Sequence, residues 1–315
     1  MAAPAGNPQQ QFLHELISHG HFLPSGEPGI YGRGEAFERV RTALDGLITR
    51  IGAGDRPERP RFPPVIPRSI LEKVGYLKSF PQLCGCVFSF AGTRASALEM
   101  AERAERGEDW SGYLSMTNVT LVPAACYPAY PAIAQRGPLP ATGVTLDLGG
   151  CYVFRNEPSA DPARLQMFHQ RELVRIGDAE TVFAWRETWM DRARKMYEQI
   201  GLEARIDTAS DPFFGREGKL LANSQRQQGL KFEALVSIAS AEPTAVSSFN
   251  LHQEHFGETF GIRLHDGGTA SSSCVGFGLE RITLALFRAH GLESSEWPSG
   301  VRNRLWPESA AAPAR

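Results

Sequence analysis

The chain has 315 residues, of which 42% are hydrophobic and 22% are charged, as in ordinary globular proteins. Its 33 basic and 35 acidic residues give a net charge of -2, which excludes a strongly basic nucleic-acid binder by total charge. It has no signal-peptide pattern, no run of about 20 apolar residues and only five scattered cysteines, so we expect a reduced, soluble, cytoplasmic protein without a membrane partner.

Residues 11–305 are expected to form a single domain, and several helices are predicted in its first half. Residues 1–10 and 306–315 are small, polar and proline-rich, and are predicted to be disordered. Helical apolar spacing predicts helices in FLHELISHGHFL and EAFERVRTALDGLITRI, with a turn or short hairpin between them. Further helices are predicted after the proline-rich RFPPVIP and in ASALEMAERAERGED.

The second half contains the predicted strands. CYVFRNEPSADPARLQMFHQRELVRIG predicts a strand, a loop and a second strand, and TVFAWRETWMDRARKMYEQIGL predicts a long helix that ends at Gly201. Two more strands are predicted in LKFEALVSIASAE and TAVSSFNL, followed by a helix in GFGLERITLALFRAHG. Strands grouped in this way, with few β-α-β alternations, favour an α+β domain with an antiparallel sheet.

Charged residues follow the apolar run that begins at Cys151. Arg155 and Glu157 are two residues apart, so on a strand their side chains point to the same face. Buried charges are costly unless they are paired or bind a ligand. After a loop, Arg164, Phe168 and Glu172 follow at four-residue intervals. These residues alone leave two interpretations open, a structural ion pair between two strands or a ligand site.

A glycine cluster precedes the last long helix. The sequence GFGLER, residues 276–281, is similar to a phosphate-binding turn, but it lacks the third glycine and the β-α-β setting of a dinucleotide site. A tight connection from a strand to a helix explains it equally well. The cluster by itself therefore carries little functional information.

Taken together, the two segments resemble signatures of the class II aminoacyl-tRNA synthetases. Arg155 and Glu157, with Arg164, Phe168 and Glu172, match their second signature, and the sequence at 276–281 matches the third. RFPPVIPRSILEKVGYLKSFP has the character of the first signature, and KFEALVSIASAEPTAVSSFN is similar to a strand pair of seryl-tRNA synthetase. The resemblance covers roughly residues 30 to 295 and implies an antiparallel β-sheet flanked by helices.

The resemblance also implies a chemistry, the activation of an amino-acid carboxylate by ATP. Arg155 would bridge the α-phosphate and the substrate carboxylate, and Phe168 and Arg281 would cover the two faces of adenine. The implied ATP-binding residues are Arg155, Glu157, Arg164, Leu165, Phe168, Val246, Ser247, Ser248 and Arg281, with Arg155 and Arg281 as the catalytic pair. The Mg²⁺-binding glutamate of these synthetases aligns with Thr244, and Glu242 is a candidate substitute.

The cysteines acquire a role only through the resemblance. By spacing alone, Cys126 and Cys274 are unremarkable buried thiols, since the usual local pairs of zinc ligands are missing. Methanogenic-type seryl-tRNA synthetases, however, hold an active-site zinc with Cys, Glu and Cys, which implies Cys126, Glu172 and Cys274 here. The open fourth position would take the α-amino group of the substrate, next to Arg155. His252 and His255 are not expected to be ligands, because histidines near a strand end are more often surface or packing residues.

The stretches FNLHQEHFG and DPFFGREGKLLANSQRQQGLKFE, with only a short helical lead-in where seryl-tRNA synthetases have a tRNA-binding domain, resemble the amino acid:[carrier protein] ligases, truncated homologues of those synthetases. That resemblance implies transfer of glycine or alanine, with serine as a further candidate, to the phosphopantetheine thiol of a carrier protein, without tRNA. It implies a homodimer with Phe62–Pro81 along the two-fold interface. The candidate docking patch lies in Asp211–Lys231 and contains Arg216, Lys219, Arg226 and Lys231.

Two alternatives stay open at this point. One is a tRNA-charging enzyme of seryl or glycyl type, whose basic patch is hidden in the total charge. The other is a non-catalytic synthetase paralogue that serves as a regulatory or binding subunit. The complete set of ATP residues argues against the second alternative.

Overall fold

The computed structural model describes residues 7–240 and 242–307, except for the side chain of Arg216. The helices are α1 (Pro8–Ser18), α2 (Glu35–Gly52), α3 (Arg68–Lys73), α4 (Tyr76–Ser79), α5 (Arg94–Glu105), α6 (Ala129–Ala134), α7 (Ala179–Gln199), α8 (Gly215–Gln227), α9 (His255–Phe260), α10 (Leu279–His290) and α11 (Ser299–Leu305). The strands are β1 (Phe22–Pro24), β2 (Tyr31–Arg33), β3 (Val65–Pro67), β4 (Cys86–Phe90), β5 (Leu114–Leu121), β6 (Val144–Phe154), β7 (Met167–Gly177), β8 (Arg205–Thr208), β9 (Lys231–Val236), β10 (Thr244–Gln253) and β11 (Ser271–Gly278). None of the helices in the described part of the chain has the length and apolarity to cross a bilayer.

A six-stranded sheet in the order β6-β7-β11-β10-β9-β8 forms the centre of the fold. All of its strand pairs are antiparallel. One face packs against α2, α7 and α10, where Trp189, Phe249 and Phe277 are fully buried. The other face packs against α6 and α9 through a second cluster that includes Tyr130 and Phe256. This architecture confirms the predicted α+β fold.

A projecting arm, defined here as residues 84–121, carries β4, α5 and β5. With β3, its strands form a separate three-stranded sheet in the order β3-β5-β4. No residue of α5 is buried, and Phe88 and Met116, which face each other across β4 and β5, are 55% and 47% exposed. The arm therefore has little core of its own within this chain.

The N-terminal predictions need correction. The first helix begins at Pro8, because Asn7 caps it by accepting a hydrogen bond from the backbone N–H of Gln9. Residues 8–10 are therefore ordered, and residues 1–6 lie outside the described part. The helix predicted in FLHELISHGHFL ends at Ser18, and the chain turns at Gly20, whose φ is +70°. The last part of that segment is β1, which pairs with β2 in a hairpin.

Two further boundaries differ from the sequence analysis. Trp306, placed in the disordered tail, packs on the core with its ring 6.3 Å from that of Trp297, while residues 308–315 lie outside the described part. Gly276 and Gly278 do not form a turn, since β11 runs to Gly278 and α10 follows directly. By contrast, α7 ends at the predicted place, with Gly201 at a φ of +68°.

Candidate active site

A cavity of about 440 Å³ opens on the face of the central sheet that carries α6 and α9. Along its floor, Glu172 of β7, Gly276 of β11, Ser248 of β10 and Glu233 of β9 are successive cross-strand neighbours. A side chain at Gly276 would place its Cβ 2.9 Å from Gln170 Nε2 and 3.2 Å from Ser248 Oγ. The missing side chain therefore leaves the middle of the floor open for a ligand.

Three acidic ligand groups meet at one end of this cavity. Cys126 lies in the loop between β5 and α6, Glu172 in the middle of β7 and Cys274 in the middle of β11. Their potential ligand atoms all lie within 4.8 Å of one another, and all three residues are buried. The backbone N–H of Cys126 donates to Glu172 Oε2 at 2.7 Å, which fixes the carboxylate and leaves its other oxygen available.

The electrostatics of this cluster suit a cation. Burial raises the pKa of Glu172, although the two thiols and Arg155 oppose the shift. The neighbouring Cys126 thiol, together with burial, raises the pKa of Cys274 well above its usual value. Three groups that resist ionisation side by side would all be stabilised as anions by a divalent metal. Two sulfurs and one oxygen are a donor set that fits zinc, and three protein ligands leave one position for substrate.

Three arginines lie close enough to influence one another electrostatically, and one of them, Arg155, also lines the cavity. Arg155 follows β6, Arg164 lies in the loop before β7, and Arg281 lies in the first turn of α10. Burial and the charges of Arg155 and Arg164 lower the pKa of Arg281 to about 10. The Nε of Arg155 is buried without a hydrogen-bond partner among the described residues. A cluster of cations that repel one another is typical of a site that binds a polyanion.

Arg281 and Phe168 are brought together as predicted. The guanidinium donates from Nε to the carbonyl of Ala163 at 2.8 Å and from Nη1 to the carbonyl of Ala245 at 2.9 Å. These bonds hold it above the ring of Phe168. Arg155 and Glu157 both follow the end of β6, and the salt bridges of the described residues do not include this pair. The structural ion-pair interpretation is therefore not supported.

Three of the predicted ATP-binding residues do not turn their side chains into the cavity, and their contact with ATP stays a prediction. The side chains of Val246 and Leu165 belong to the core cluster on the helical face. Ser247 is also buried on that face, where its hydroxyl meets that of Tyr197. A register shift between Ala245 and Ser247, a β-bulge, changes which strand residues face the cavity. Of the three predicted residues of β10, Ser248 is the one that lines the cavity.

The predicted docking patch is also corrected. Lys231 is not a surface residue, since its Nζ lies 2.5 Å from Asp211 Oδ1 and 3.0 Å from Glu233 Oε1 at the cavity wall. Lys219 and Arg226 are exposed on α8, and the side chain of Arg216 lies outside the described part. Within the patch, α8 also presents Leu220, which is 71% exposed.

Several cavity residues were missed by the sequence analysis. Gln170 lies between Phe168 and Glu172 on the same face of β7, and its Oε1 accepts from the backbone N–H of Ala125 at 3.1 Å. Asn250 and His252 line the cavity two and four residues after Ser248. The two-residue period of a strand was the signal that could have identified all three. His252 is not a surface residue, and burial lowers its pKa to about 3.

The comparisons with known proteins agree with this geometry. No protein-family model matches the chain. It is 46% identical over 286 residues to amino acid–[acyl-carrier-protein] ligase 2 of Bradyrhizobium diazoefficiens, covering 90% of this chain and 85% of the relative. It is 47% identical to ligase 1 of the same organism, covering 90% of this chain and 87% of that relative.

A solved structure shows the same fold. M. kandleri SerRS, in complex with A. aeolicus tRNASec, superposes with a TM-score of 0.81 at 22% sequence identity. The match covers 97% of this chain and 62% of that chain. The fold is thus that of a class II synthetase, and the identity to the two Bradyrhizobium proteins places the chain in the family of amino acid–[acyl-carrier-protein] ligases.

Proposed function

We propose that the protein activates a small amino acid with ATP and transfers it to the phosphopantetheine thiol of a carrier protein. One observation carries the proposal: Arg155 lines the same cavity as a buried Cys-Glu-Cys cluster and is also the charged neighbour that acts most strongly on Arg281, which has Arg164 close by. The cluster suits the amine of an amino acid, and the arginines suit a triphosphate. Arg155, between the two groups, is proposed to bind both the carboxylate and the α-phosphate.

The reaction has two steps. In the first, a carboxylate oxygen attacks the α-phosphorus of ATP, and the bond to pyrophosphate breaks. In the second, the carrier thiol, having lost its proton, attacks the carbonyl carbon, and the bond to AMP breaks. The first step joins two anions, so neutralisation by fixed cations and alignment supply most of the rate.

The arginines and aromatic residues have separate roles. Arg155 binds the carboxylate and the α-phosphate, a bidentate task that a planar guanidinium performs better than an ammonium group. Phe168 and Arg281 hold adenine between them, and Glu157 accepts a hydrogen bond from its amino group. Arg164, which is exposed, adds charge toward the outer phosphates.

Cys126, Glu172 and Cys274 would hold one zinc ion per chain. When bound, zinc supplies a Lewis-acid position that takes the substrate's free α-amino group. The protein fixes the donors by burial and by the Cys126 N–H bond to Glu172. A substrate without a free amine is rejected, because an oxygen or a carbon in that position gives a poorer ligand or none.

ATP is expected to bind with Mg²⁺, and Glu233 is better placed than Glu242 to approach it. Glu242 is exposed in the turn before β10, and Thr244 begins that strand. Glu233 instead lies directly opposite Ser248 in the β9–β10 pairing, in the floor row of the cavity. Oxygen ligands of this kind suit Mg²⁺.

The carrier protein is proposed to dock on α8. This helix presents Lys219 and Arg226 beside the exposed Leu220 and Leu221, which are 71% and 49% exposed. A small acidic partner with a few apolar side chains would complement that surface. Leu221 also lines the cavity, so the helix connects the outer surface with the active site.

A homodimer is proposed in addition, with the arm as part of the interface next to the predicted segment Phe62–Pro81. A short hairpin and a 12-residue helix without buried residues are marginal alone. Residues 94–109 contain five acidic and three basic residues, which disfavours an acidic carrier protein as the partner of the arm. A second copy of this chain would present acidic and basic residues together, and the same exposed apolar residues, to the arm.

The experiment that tests the function combines two assays. ATP–pyrophosphate exchange with single amino acids identifies the substrate, for which we expect glycine or alanine. Labelled amino acid is then offered to a phosphopantetheinylated carrier protein and to tRNA, and we expect label on the carrier alone. Label on tRNA but not on the carrier would support the tRNA-charging alternative instead. Lys219→Glu should reduce transfer and leave exchange unchanged.

A further inference from the structure

The sulfur of Cys274 is approached by two side-chain nitrogens of β10. Asn250 lies directly opposite Cys274 in the β10–β11 pairing, and its Nδ2 donates to the sulfur at 3.3 Å. Two residues further along, the Nε2 of His252 lies 3.5 Å from the same sulfur. Both separations are hydrogen bonds for an atom as large as sulfur.

The other nitrogen of the imidazole determines where its proton lies. His252 Nδ1 is 3.1 Å from Ser272 Oγ and 3.3 Å from Tyr130 Oη, and either hydroxyl can donate. A cysteine bound to a metal is a thiolate and can only accept a hydrogen bond. In that state Nε2 must carry the ring proton, and Nδ1 accepts from a hydroxyl. All donors and acceptors are then matched.

His252 is not itself a member of the ligand cluster. Among the described residues, the atoms that lie within 4.8 Å of one another come from Cys126, Glu172 and Cys274, without His252. Ligands of a tetrahedral zinc, at about 2.0–2.3 Å from the metal, lie no more than about 4 Å from one another. His252 is close to Cys274 but does not come within even 4.8 Å of every atom of the cluster. The imidazole therefore contacts the metal centre through the sulfur.

We infer that His252 and Asn250 are positioning residues of the metal centre. Their N–H groups orient the Cys274 sulfur and withdraw negative charge from it, so that the metal accepts an amine more readily. The inference rests on the proposed function, since it requires that the Cys-Glu-Cys cluster hold a metal. It adds that two uncharged side chains, those of His252 and Asn250, contribute to the affinity of that centre for its metal.

Metal affinity tests this role. His252→Phe keeps a flat ring next to Tyr130 and Phe256 but removes the donor, and Asn250→Leu removes the other donor. Competition with a chelator for Zn²⁺ should show affinities about 10- to 100-fold below wild type for each variant, the usual effect of losing an outer-shell partner. His252→Gln keeps an N–H group and should restore most of the affinity. The matched control His255→Phe, on the exposed neighbour, should bind Zn²⁺ as wild type does.

Cobalt spectra separate this role from a packing role. With Co²⁺ in the site, the sulfur-to-cobalt charge-transfer band should move to lower energy in His252→Phe and Asn250→Leu, because a thiolate without hydrogen bonds loses an electron more easily. Unchanged affinity and an unchanged spectrum in both variants would overturn the inference. If His252→Phe does not fold, Asn250→Leu gives the same two readouts. Wild-type protein that binds neither Zn²⁺ nor Co²⁺ would instead overturn the metal centre of the proposed function, and this inference with it.

Discussion

The guanidinium carbon of Arg281 lies 6.0 Å from the centroid of the Phe168 ring, and the backbone carbonyls of Ala163 and Ala245 hold it there. A purine between the two groups needs about 7 Å, twice the van der Waals separation of stacked atoms. We therefore expect ATP to enter by a small outward shift of Arg281. The gain is stacking on one face and a cation–π contact on the other.

Replacement of Arg155 or Arg281 should abolish most of the activation step. Arg155→Ala and Arg281→Ala should each reduce ATP–pyrophosphate exchange by at least about a hundredfold, the scale for losing a preorganised charge partner. Arg288→Ala, at an exposed position of the same helix as Arg281, is the control and should retain exchange. Near-normal exchange in a folded Arg155→Ala or Arg281→Ala variant would contradict the assignment.

A methyl group at Gly276 should obstruct the floor of the cavity. The added Cβ would lie 2.9 Å from Gln170 Nε2, so a neighbour has to move into the space for the ligand. Overpacking of this kind costs about 1–3 kcal/mol, which corresponds to a loss in kcat/KM of roughly 5- to 150-fold for Gly276→Ala when the cost falls on the ligand-bound state. Gly112→Ala, where nothing lies within 4 Å, should behave as wild type. Unchanged kinetics for Gly276→Ala would show that the ligand does not use this part of the floor.

The two-residue period of a strand made the contribution of β7 to the site predictable from the sequence. Phe168 and Glu172 share a face because they are an even number of residues apart, and the same rule would have given Gln170. Val246, Ser247 and Ser248 were predicted from the resemblance and not from this rule, and the β-bulge between Ala245 and Ser247, which decides which of their side chains face the cavity, is a property of the pairing with β9 that local sequence does not encode.

Long-range contacts explain the other errors. Lys231 has the sequence signature of a solvated lysine, and only the loop at Asp211, 20 residues away, makes it a buried member of the cavity wall. The segment at Phe22 continues the helical apolar spacing, and the turn at Gly20 together with pairing to Arg33 makes it a strand. Tertiary pairing overrode a local preference in both cases.

Loss of a cluster ligand should remove metal and activity together. Wild-type protein is expected to contain one zinc per chain, and Cys274→Ser should lose both zinc and exchange, since a hydroxyl is a poor replacement for a thiolate. Cys86→Ser, at an exposed position of the arm, is the matched control and should retain its zinc. Elemental analysis decides the point: full zinc in Cys274→Ser, or none in wild type, would refute the site.

The Asp211–Lys231 pair should stabilise the fold equally across the neutral range. Burial would raise the pKa of Asp211, but Lys231 and Gln225 outweigh it and lower the pKa below its usual 3.8. Burial would lower the pKa of Lys231, but Asp211 and Glu233 raise it above 10.5. The stabilisation is thus lost only as pH falls through the folded pKa of Asp211 or rises through that of Lys231.

Lys231→Met should lower the free energy of unfolding by about 3 kcal/mol, because it leaves a buried carboxylate unpaired. Urea denaturation should give the largest difference from wild type in the alkaline part of the range from roughly pH 5 to 9 and a smaller one toward pH 5, because burial raises the pKa of the unpaired Asp211 and the carboxyl is then protonated. Lys78→Met removes an exposed partner of Glu217 and should change stability by less than about 0.5 kcal/mol. A difference of less than about 0.5 kcal/mol for Lys231→Met across this whole range would contradict the pairing.

The exposed face of the arm should decide the oligomeric state. Phe88 and Met116 are cross-strand partners, so aspartate at both positions places two charges in the middle of the proposed interface. Light scattering should find wild type as a dimer at micromolar concentration and the double variant Phe88→Asp/Met116→Asp as a monomer. The control is Leu220→Asp on α8, a comparably exposed residue outside the arm, which should remain a dimer. Wild type that is monomeric would refute the homodimer, and a double variant that stays dimeric would place the interface elsewhere, with Phe62–Pro81 as the remaining candidate.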